Sequence, residues 1–166
     1  QFKVKYEEGT LSVRAYDADG NLISDTVGTS SVTTATASVI SAKTWQNRNT
    51  FVADSADFIY VEFEALDENG NFINDYNGLL EIKVDDSSSR YAKIIGVDNG
   101  NPATTEKFQQ KSVISEDSSS AVIQMFNGKA LVILKTTDEE GTVNFTAVAS
   151  DGSSDISAKG VTITTV

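Results

Sequence analysis

The sequence contains neither cysteine nor histidine. Without cysteine the chain can form no disulfide and no thiolate zinc site, and without histidine it lacks the commonest general base and metal ligand at neutral pH. Much enzyme chemistry is thereby excluded, and we expect no cofactor.

Basic residues are scarce as well, since 13 lysines and arginines stand against 24 aspartates and glutamates, for a formal net charge of −11. That charge repels the phosphates of nucleic acids and of anionic lipids. No apolar run approaches the roughly 18 residues that a membrane-spanning helix needs. We therefore expect no nucleic-acid partner and no membrane insertion.

Proline occurs once, and threonine, serine, valine, asparagine and glycine are abundant, which favours short strands and polar turns. Apolar and polar residues alternate strictly over Phe58–Leu66, and the same period of two recurs at residues 80–84, 142–147 and 161–164. Residues 130–134 are apolar on both faces, which predicts a strand at the middle of a sheet. The pattern predicts an all-β, immunoglobulin-like antiparallel β-sandwich with almost no helix.

The inward positions of these strands should form the core, where truncation of one side chain to alanine costs about 2–5 kcal/mol. The predicted core residues are Ile59, Val61, Phe63, Ile82, Val84, Val132, Leu134, Val143 and Phe145.

Turns are predicted where residues that tolerate positive φ separate apolar runs, as at Asn77-Gly78 and Asn127-Gly128. Residues 16–25 also echo residues 66–75, which suggests two immunoglobulin-like units in series. We place the C-terminal strands of a preceding, truncated unit at residues 1–30, a linker and first strand at 31–55, and the main sandwich at 56–166.

Several short runs resemble segments of a known family. VKYEEGTL at residues 4–11 and VRAYD at 13–17 resemble the closing strands of an immunoglobulin-like domain that follows the catalytic barrel in glycoside hydrolase family 2 of the β-galactosidase type. The next domain of those enzymes is similar to residues 56–150. That similarity is carried by DENGN at 67–71, IIGVDNGNP at 94–102 and FNGKALV at 126–132.

The resemblance implies an accessory domain of a bacterial, extracellular or cell-surface glycosidase that serves carbohydrate metabolism. The catalytic glutamates of that family lie on the barrel, so no catalytic residue carries over and this chain is not expected to be an enzyme itself. Its expected partners are other domains of the same polypeptide.

Two alternatives stay open. One is a carbohydrate-binding module for galactose-containing glycans, because aromatic rings stack on sugars. Trp45 stands in the polar run 43–49, Tyr60, Tyr76 and Tyr91 are further candidates, and Asp98 and Asn99 can face a ligand or cap their own loop. The competing interpretation of Trp45, which we favour, is that this only tryptophan plugs one end of the core.

The other alternative is a surface adhesion or assembly domain, because the exposed edges of an N-terminal strand pair invite pairing with a second copy. Metal binding is not expected. Asp17 to Asn21 and Asp67 to Asn71 have the alternating oxygen ligands of a calcium loop, but strands flank them and a tight turn accounts for the same residues.

Overall fold

The computed structural model describes residues 3, 9–12, 14–23, 31–34, 36–104, 108–109, 114–159 and 161–166. The chain divides into two compact units, residues 1–36 and 37–166. In the first unit, β1 (Gly9–Ser12) pairs antiparallel with β2 (Ser31–Thr34). Across the described residues, no helix is long and apolar enough to cross a membrane.

The second unit is a sandwich whose two layers are joined by one shared strand. Its strands are β3 (Val39–Thr44), β4 (Thr50–Phe51), β5 (Phe58–Leu66), β6 (Leu79–Val84), β7 (Ala92–Asp98), β8 (Ser120–Gln124), β9 (Lys129–Thr136), β10 (Gly141–Val143), β11 (Phe145–Ser150), β12 (Asp155–Lys159) and β13 (Ile163–Thr165). The order is β7-β9-β5-β3-β12-β11-β6-β8, and a small sheet β10-β13-β4 accompanies it. Strand β12 makes the join, because it pairs parallel with β3 and antiparallel with β11.

The predicted all-β immunoglobulin-like sandwich is confirmed. Helical structure in the described residues is confined to one 3-10 turn, Trp45–Asn47. Strand β5 has the predicted limits, and its alternate side chains Ile59, Val61, Phe63 and Ala65 are buried.

The core lies between the layer of β5 and β9 and the layer of β6 and β11. Phe63 meets Phe145 edge to face across it, with ring centroids 6.1 Å apart. All the predicted core residues are buried apart from Phe145, which is half-buried.

The single strand predicted at residues 142–147 is wrong. The chain changes partner at Asn144, because β10 pairs with β13 whereas β11 pairs with β6 and β12. The backbone N–H of Asn144 donates to the Oγ atom of the buried Ser88 at 3.0 Å, which satisfies a group that leaves the sheet ladder. An unbroken alternation in the sequence gave no sign of that break.

Residues 130–134 belong to β9, which pairs with β7 on one side and β5 on the other and is thus an inner strand of its layer, as predicted. A smaller expectation needs correction. At Asn77-Gly78 neither residue has a positive φ, and Gly78 is instead required because a Cβ atom there would collide with the ring of Tyr76.

Asn127-Gly128 is the tight turn that was predicted. Both residues have positive φ, 49° and 73°, and backbone hydrogen bonds join Phe126 and Lys129 in both directions. Two successive positive φ values are typical of a type I′ turn, which Asn-Gly favours. This turn connects β8 in one layer to β9 in the other.

The internal echo recurs in three dimensions. In each copy a bridge closes a short loop, Tyr16 with Leu22 and Leu66 with Phe72. The Oδ1 atom of Asp67 accepts the backbone N–H groups of Asn69 and Asn71, both at 2.8 Å. Asp17 accepts the equivalent groups of Asp19 and Asn21 at 3.0 and 2.8 Å, so each aspartate stabilises its own turn.

Candidate functional site

Trp45 lies on the surface, with 58% of its area exposed, so the favoured expectation that it plugs the core is wrong. The preceding residue, Thr44, takes the buried position at the end of β3, and its hydroxyl lies 2.8 Å from Asn49 Oδ1. Alternation along the strand then directs Trp45 outward. The buried aromatic residue of this segment is Phe51, which the guanidinium of Arg48 covers at 4.3 Å from the ring centroid.

The backbone after Trp45 is unusual. Gln46 has φ 56° and ψ 20°, and Asn47 has φ 56°, so two successive non-glycine residues occupy the left-handed region. Each such residue costs about 1 kcal/mol, although asparagine tolerates the region better than most. Backbone strain of this kind clusters at functional sites. The turn that holds the exposed indole therefore has an unfavourable local backbone energy, which the rest of the fold must offset.

An open pocket of about 290 Å³ adjoins the indole. It combines an aromatic ring with amide, hydroxyl, ammonium and carboxylate groups, which together can stack on and hydrogen-bond a polar ring. The lining residues are Lys43, Thr44, Trp45, Gln46, Asn47 and Glu62.

Four charged side chains form an ion ladder on the solvent-facing side of β3, β5 and β9. The Nζ atom of Lys43 lies 3.0 Å from Glu64 Oε2 and 3.5 Å from Glu62 Oε2, and the Nζ atom of Lys129 lies 3.0 Å from Glu64 Oε1. Burial raises the pKa of Glu64, but the hydrogen bonds from Lys129 and Lys43 outweigh it, so its pKa is lowered. The hydrogen bond to Glu64 raises the pKa of Lys43.

A second pocket, of about 270 Å³, lies beside the ladder and contains the predicted residues Asp98 and Asn99. Both side chains are used to shape their own loop. Asp98 Oδ1 accepts the N–H of Gly100 at 2.7 Å, and Asn99 Oδ1 accepts that of Asn101 at 3.0 Å. Asn99 Nδ2 donates to the carbonyl of Gln124 at 2.8 Å, so this loop is held by its own polar groups.

Tyr76 and Tyr91 do not lie on the surface as sugar-stacking rings would. Tyr76 is only 8% exposed, because its ring fills the space above Gly78. Tyr91 is half-buried against Gly141, with the guanidinium of Arg90 at 5.1 Å from its ring centroid. Neither ring offers a free face comparable with that of Trp45.

Sequence reasoning missed Phe58, which is 42% exposed. Its position in the alternation of β5 places it on the same outward face as Tyr60, which is 40% exposed. The alternation of inward and outward side chains along β5 was the signal that would have identified Phe58.

Every carboxyl group in the described residues whose pKa is shifted has a lowered pKa. Hydrogen bonds from Asn71 lower the pKa of Asp67, and the Ser115 hydroxyl with the Ser119 backbone lowers that of Asp117 to about 2. The others are Asp17, Asp57, Glu64 and Asp151. No cluster of three or more acidic ligands suited to a metal ion occurs among these described residues.

Glycosidases of Bacteroides species are among the proteins similar to this chain. Over 148 residues the chain is 28% identical to the β-galactosidase BoGH2A of Bacteroides ovatus, which corresponds to 89% of this chain and 15% of that protein. A family 2 glycosyl hydrolase from Bacteroides cellulosilyticus superposes with a TM-score of 0.69 at 22% identity, over 98% of this chain and 18% of the other. A β-glycosidase from Bacteroides vulgatus gives 0.65 at 21% identity, over 97% and 18%.

The structural likenesses show a shared fold, and this chain spans a small part of each relative. Residues 43–156 match the family described as glycoside hydrolase family 2 C-terminal domain 5, and this match includes the sandwich strands from β5 to β11. It confirms the resemblance found in the sequence. The chain therefore belongs to the C-terminal domain 5 family of glycoside hydrolase family 2.

Proposed function

We propose that this chain is a non-catalytic accessory domain of a longer bacterial glycosidase of the β-galactosidase type. Its family and its similarity to BoGH2A support a role beside a catalytic barrel on the same polypeptide. The proposed role is structural, with the other domains as partners and an extracellular or cell-surface location.

The observation that supports the non-catalytic role most directly is the direction in which the pKa values of the carboxyl groups are shifted. A glycosidase needs one carboxylic acid whose pKa is raised by an apolar setting, paired with a second carboxylate across a cleft. In the described residues the shifts run the other way, because backbone N–H groups, lysines and an arginine stabilise the charged forms. These carboxylates hold turns and strands together.

The test is an assay of the purified 166-residue chain with the 4-nitrophenyl β-glycosides of galactose, glucose and glucuronic acid. We expect no release of nitrophenol above the buffer rate. Turnover that persists through repurification and disappears when one carboxylate is replaced by its amide would overturn the proposal.

Carbohydrate binding at Trp45 is the second candidate function. The exposed indole, the strained turn beneath it and the polar pocket beside it favour this function over a core position. Galactose-containing glycans are the proposed ligands, because a carboxylate and amides beside an aromatic face suit a hexopyranose.

Because Trp45 is the only tryptophan, its emission reports on this site alone. Titration with lactose or N-acetyllactosamine should shift the emission with saturation. A free tryptophan derivative in the same sugar solutions controls for solvent effects. Emission that follows this control at all concentrations would remove the second candidate.

A further inference from the structure

Three exposed aromatic residues, Trp45, Tyr60 and Phe58, form a strip on the outer face of the sandwich. The pairing of β3 with β5 ends with Thr44 opposite Val61, and the turn that begins at Trp45 lies against β5 beside Tyr60. Phe58 lies two residues further along β5 on the same face. The exposed fractions are 58%, 40% and 42%, respectively.

The strip continues onto the neighbouring strand. Ile133 pairs with Tyr60 across β9 and is half-buried, so apolar surface extends sideways from the aromatic rings. Single exposed apolar residues are ordinary on a protein surface. Adjacent ones on the solvent-facing side of a sheet indicate a binding surface.

The spacing suits a chain of rings better than a single ring. Neighbouring strands lie about 4.8 Å apart, and alternate residues on one strand lie about 6.6 Å apart. The step from Tyr60 to Phe58 runs along β5, whereas the step from Trp45 to Tyr60 runs across the strands, so the strip turns a corner at Tyr60. Each step is close to the length of one sugar residue. Linked pyranose rings can thus rest on successive aromatic side chains.

The polar groups beside the strip identify the class of ligand. Glu62 follows Tyr60 on the same face of β5, and it lines both outer pockets. The ion ladder pairs two lysines with two glutamates, so its charges cancel locally. At this end of the strip the surface offers hydrogen bonds without a net charge, which suits a neutral polyhydroxyl chain, whereas Lys135 lies opposite Phe58 at the other end.

We propose that the outer face binds a neutral oligosaccharide of several rings, which lies along Trp45, Tyr60 and Phe58 with Glu62 hydrogen-bonded to its hydroxyl groups. This inference rests on the second candidate function, carbohydrate binding at Trp45. It specifies in addition that the ligand has several sugar rings, and that Tyr60 and Phe58 contact the rings beyond the one at Trp45.

The test is isothermal titration of the chain with galactose, lactose and β-1,4-galactotetraose. Each additional stacked ring should strengthen binding, so the tetrasaccharide should bind at least about tenfold more tightly than galactose. Trp45→Ala should weaken binding of all three sugars, whereas Tyr60→Ala should weaken the tetrasaccharide about tenfold and leave galactose unchanged. The matched control is Leu79→Ala. Leu79 lies on β6 of the other layer and is 39% exposed, close to the 40% of Tyr60, and its truncation should leave the affinity for all three sugars unchanged.

The outcomes separate the two proposals. Equal affinity for all three sugars, with a silent Tyr60→Ala, would overturn the oligosaccharide strip and leave Trp45 as a single-ring site. If none of the sugars binds, carbohydrate binding itself fails together with this inference, and the strip is then a face for another protein domain.

Discussion

At the scale of single residues, Tyr76 combines burial with an unmet hydrogen bond. Its hydroxyl group has no hydrogen-bond partner in the part of the chain that the structure describes. Burial raises the pKa of this hydroxyl, and the charges of Asp151 and Asp155 raise it further. A buried polar group without a partner costs free energy, so the hydroxyl lowers stability although the buried ring packs above Gly78.

Tyr76→Phe removes that hydroxyl and keeps the ring above Gly78. We expect the free energy of unfolding to rise by about 1 kcal/mol, since the desolvation cost of one unsatisfied group is about 1–3 kcal/mol. Urea unfolding followed by circular dichroism measures it. Tyr60→Phe, on the surface, is the control and should change stability by less than about 0.5 kcal/mol. A clear loss of stability in Tyr76→Phe would show that the hydroxyl is bonded.

At the scale of elements, the turns depend on charged carboxylates. In the strand-turn-strand element around Asp67, hydrogen bonds from Asn71 and Asn69 lower the aspartate's pKa from its ordinary value of 3.8. A lowered pKa means that the folded state holds protons less tightly than the unfolded state. The contribution to stability is therefore complete above pH 3.8 and is lost as the pH falls through the folded value.

We predict that the urea midpoint falls as the pH is lowered from about 5 to about 2, because Glu64, Asp57 and Asp117 shift in the same direction as Asp67. Asp67→Asn removes one of these groups and should flatten the slope. Glu81→Gln, at an exposed position of β6, is the matched control for the removal of one negative charge. A slope in Asp67→Asn identical to that of the parent chain would contradict this account of the turn.

The two faces of β5 should respond differently to truncation. Phe63→Ala removes a buried ring that meets Phe145, and we expect a loss of about 3–5 kcal/mol. Tyr60→Ala on the outer face of the same strand should cost under about 1 kcal/mol. Denaturant unfolding measures both, and similar losses would show that the assigned register of β5 is wrong.

Strands with one buried face were predictable because alternation alone fixes their inward side, as at β5. The Asn127-Gly128 turn was predictable from local chemistry. The exposure of Trp45 was not predictable. It follows from Thr44 taking the last buried position of β3 and from a backbone turn that the residue types in this segment do not indicate. The break at Asn144 depends on Ser88, a distant residue, and so was hidden as well.

At the scale of the whole molecule, the second unit contains a core of its own between two layers. The core residues named above all lie in residues 37–166. We predict that a protein of residues 37–166 folds cooperatively, with a thermal midpoint within about 5 °C of the full chain, a shift that corresponds to about 1 kcal/mol. Scanning calorimetry measures it, and a broad or absent transition would contradict the assignment of this unit as a domain.

The family could be predicted from short runs of residues, and residues 43–156 carry the match that confirmed it. The proposed ligand surface could not be predicted as a whole, because only the pairing of β3 with β5 brings Trp45 to the outer face that carries Tyr60 and Phe58. Such a site depends on register, which an isolated sequence does not show.

The central claim is that this domain supports a glycosidase without catalysing its reaction. The most direct measurement is kcat and KM of the longer enzyme for small 4-nitrophenyl glycosides, with and without the segment corresponding to residues 37–166. The account predicts that kcat per folded molecule is kept when the segment is removed, while thermal stability falls. Loss of kcat in a truncated enzyme that remains folded would contradict it.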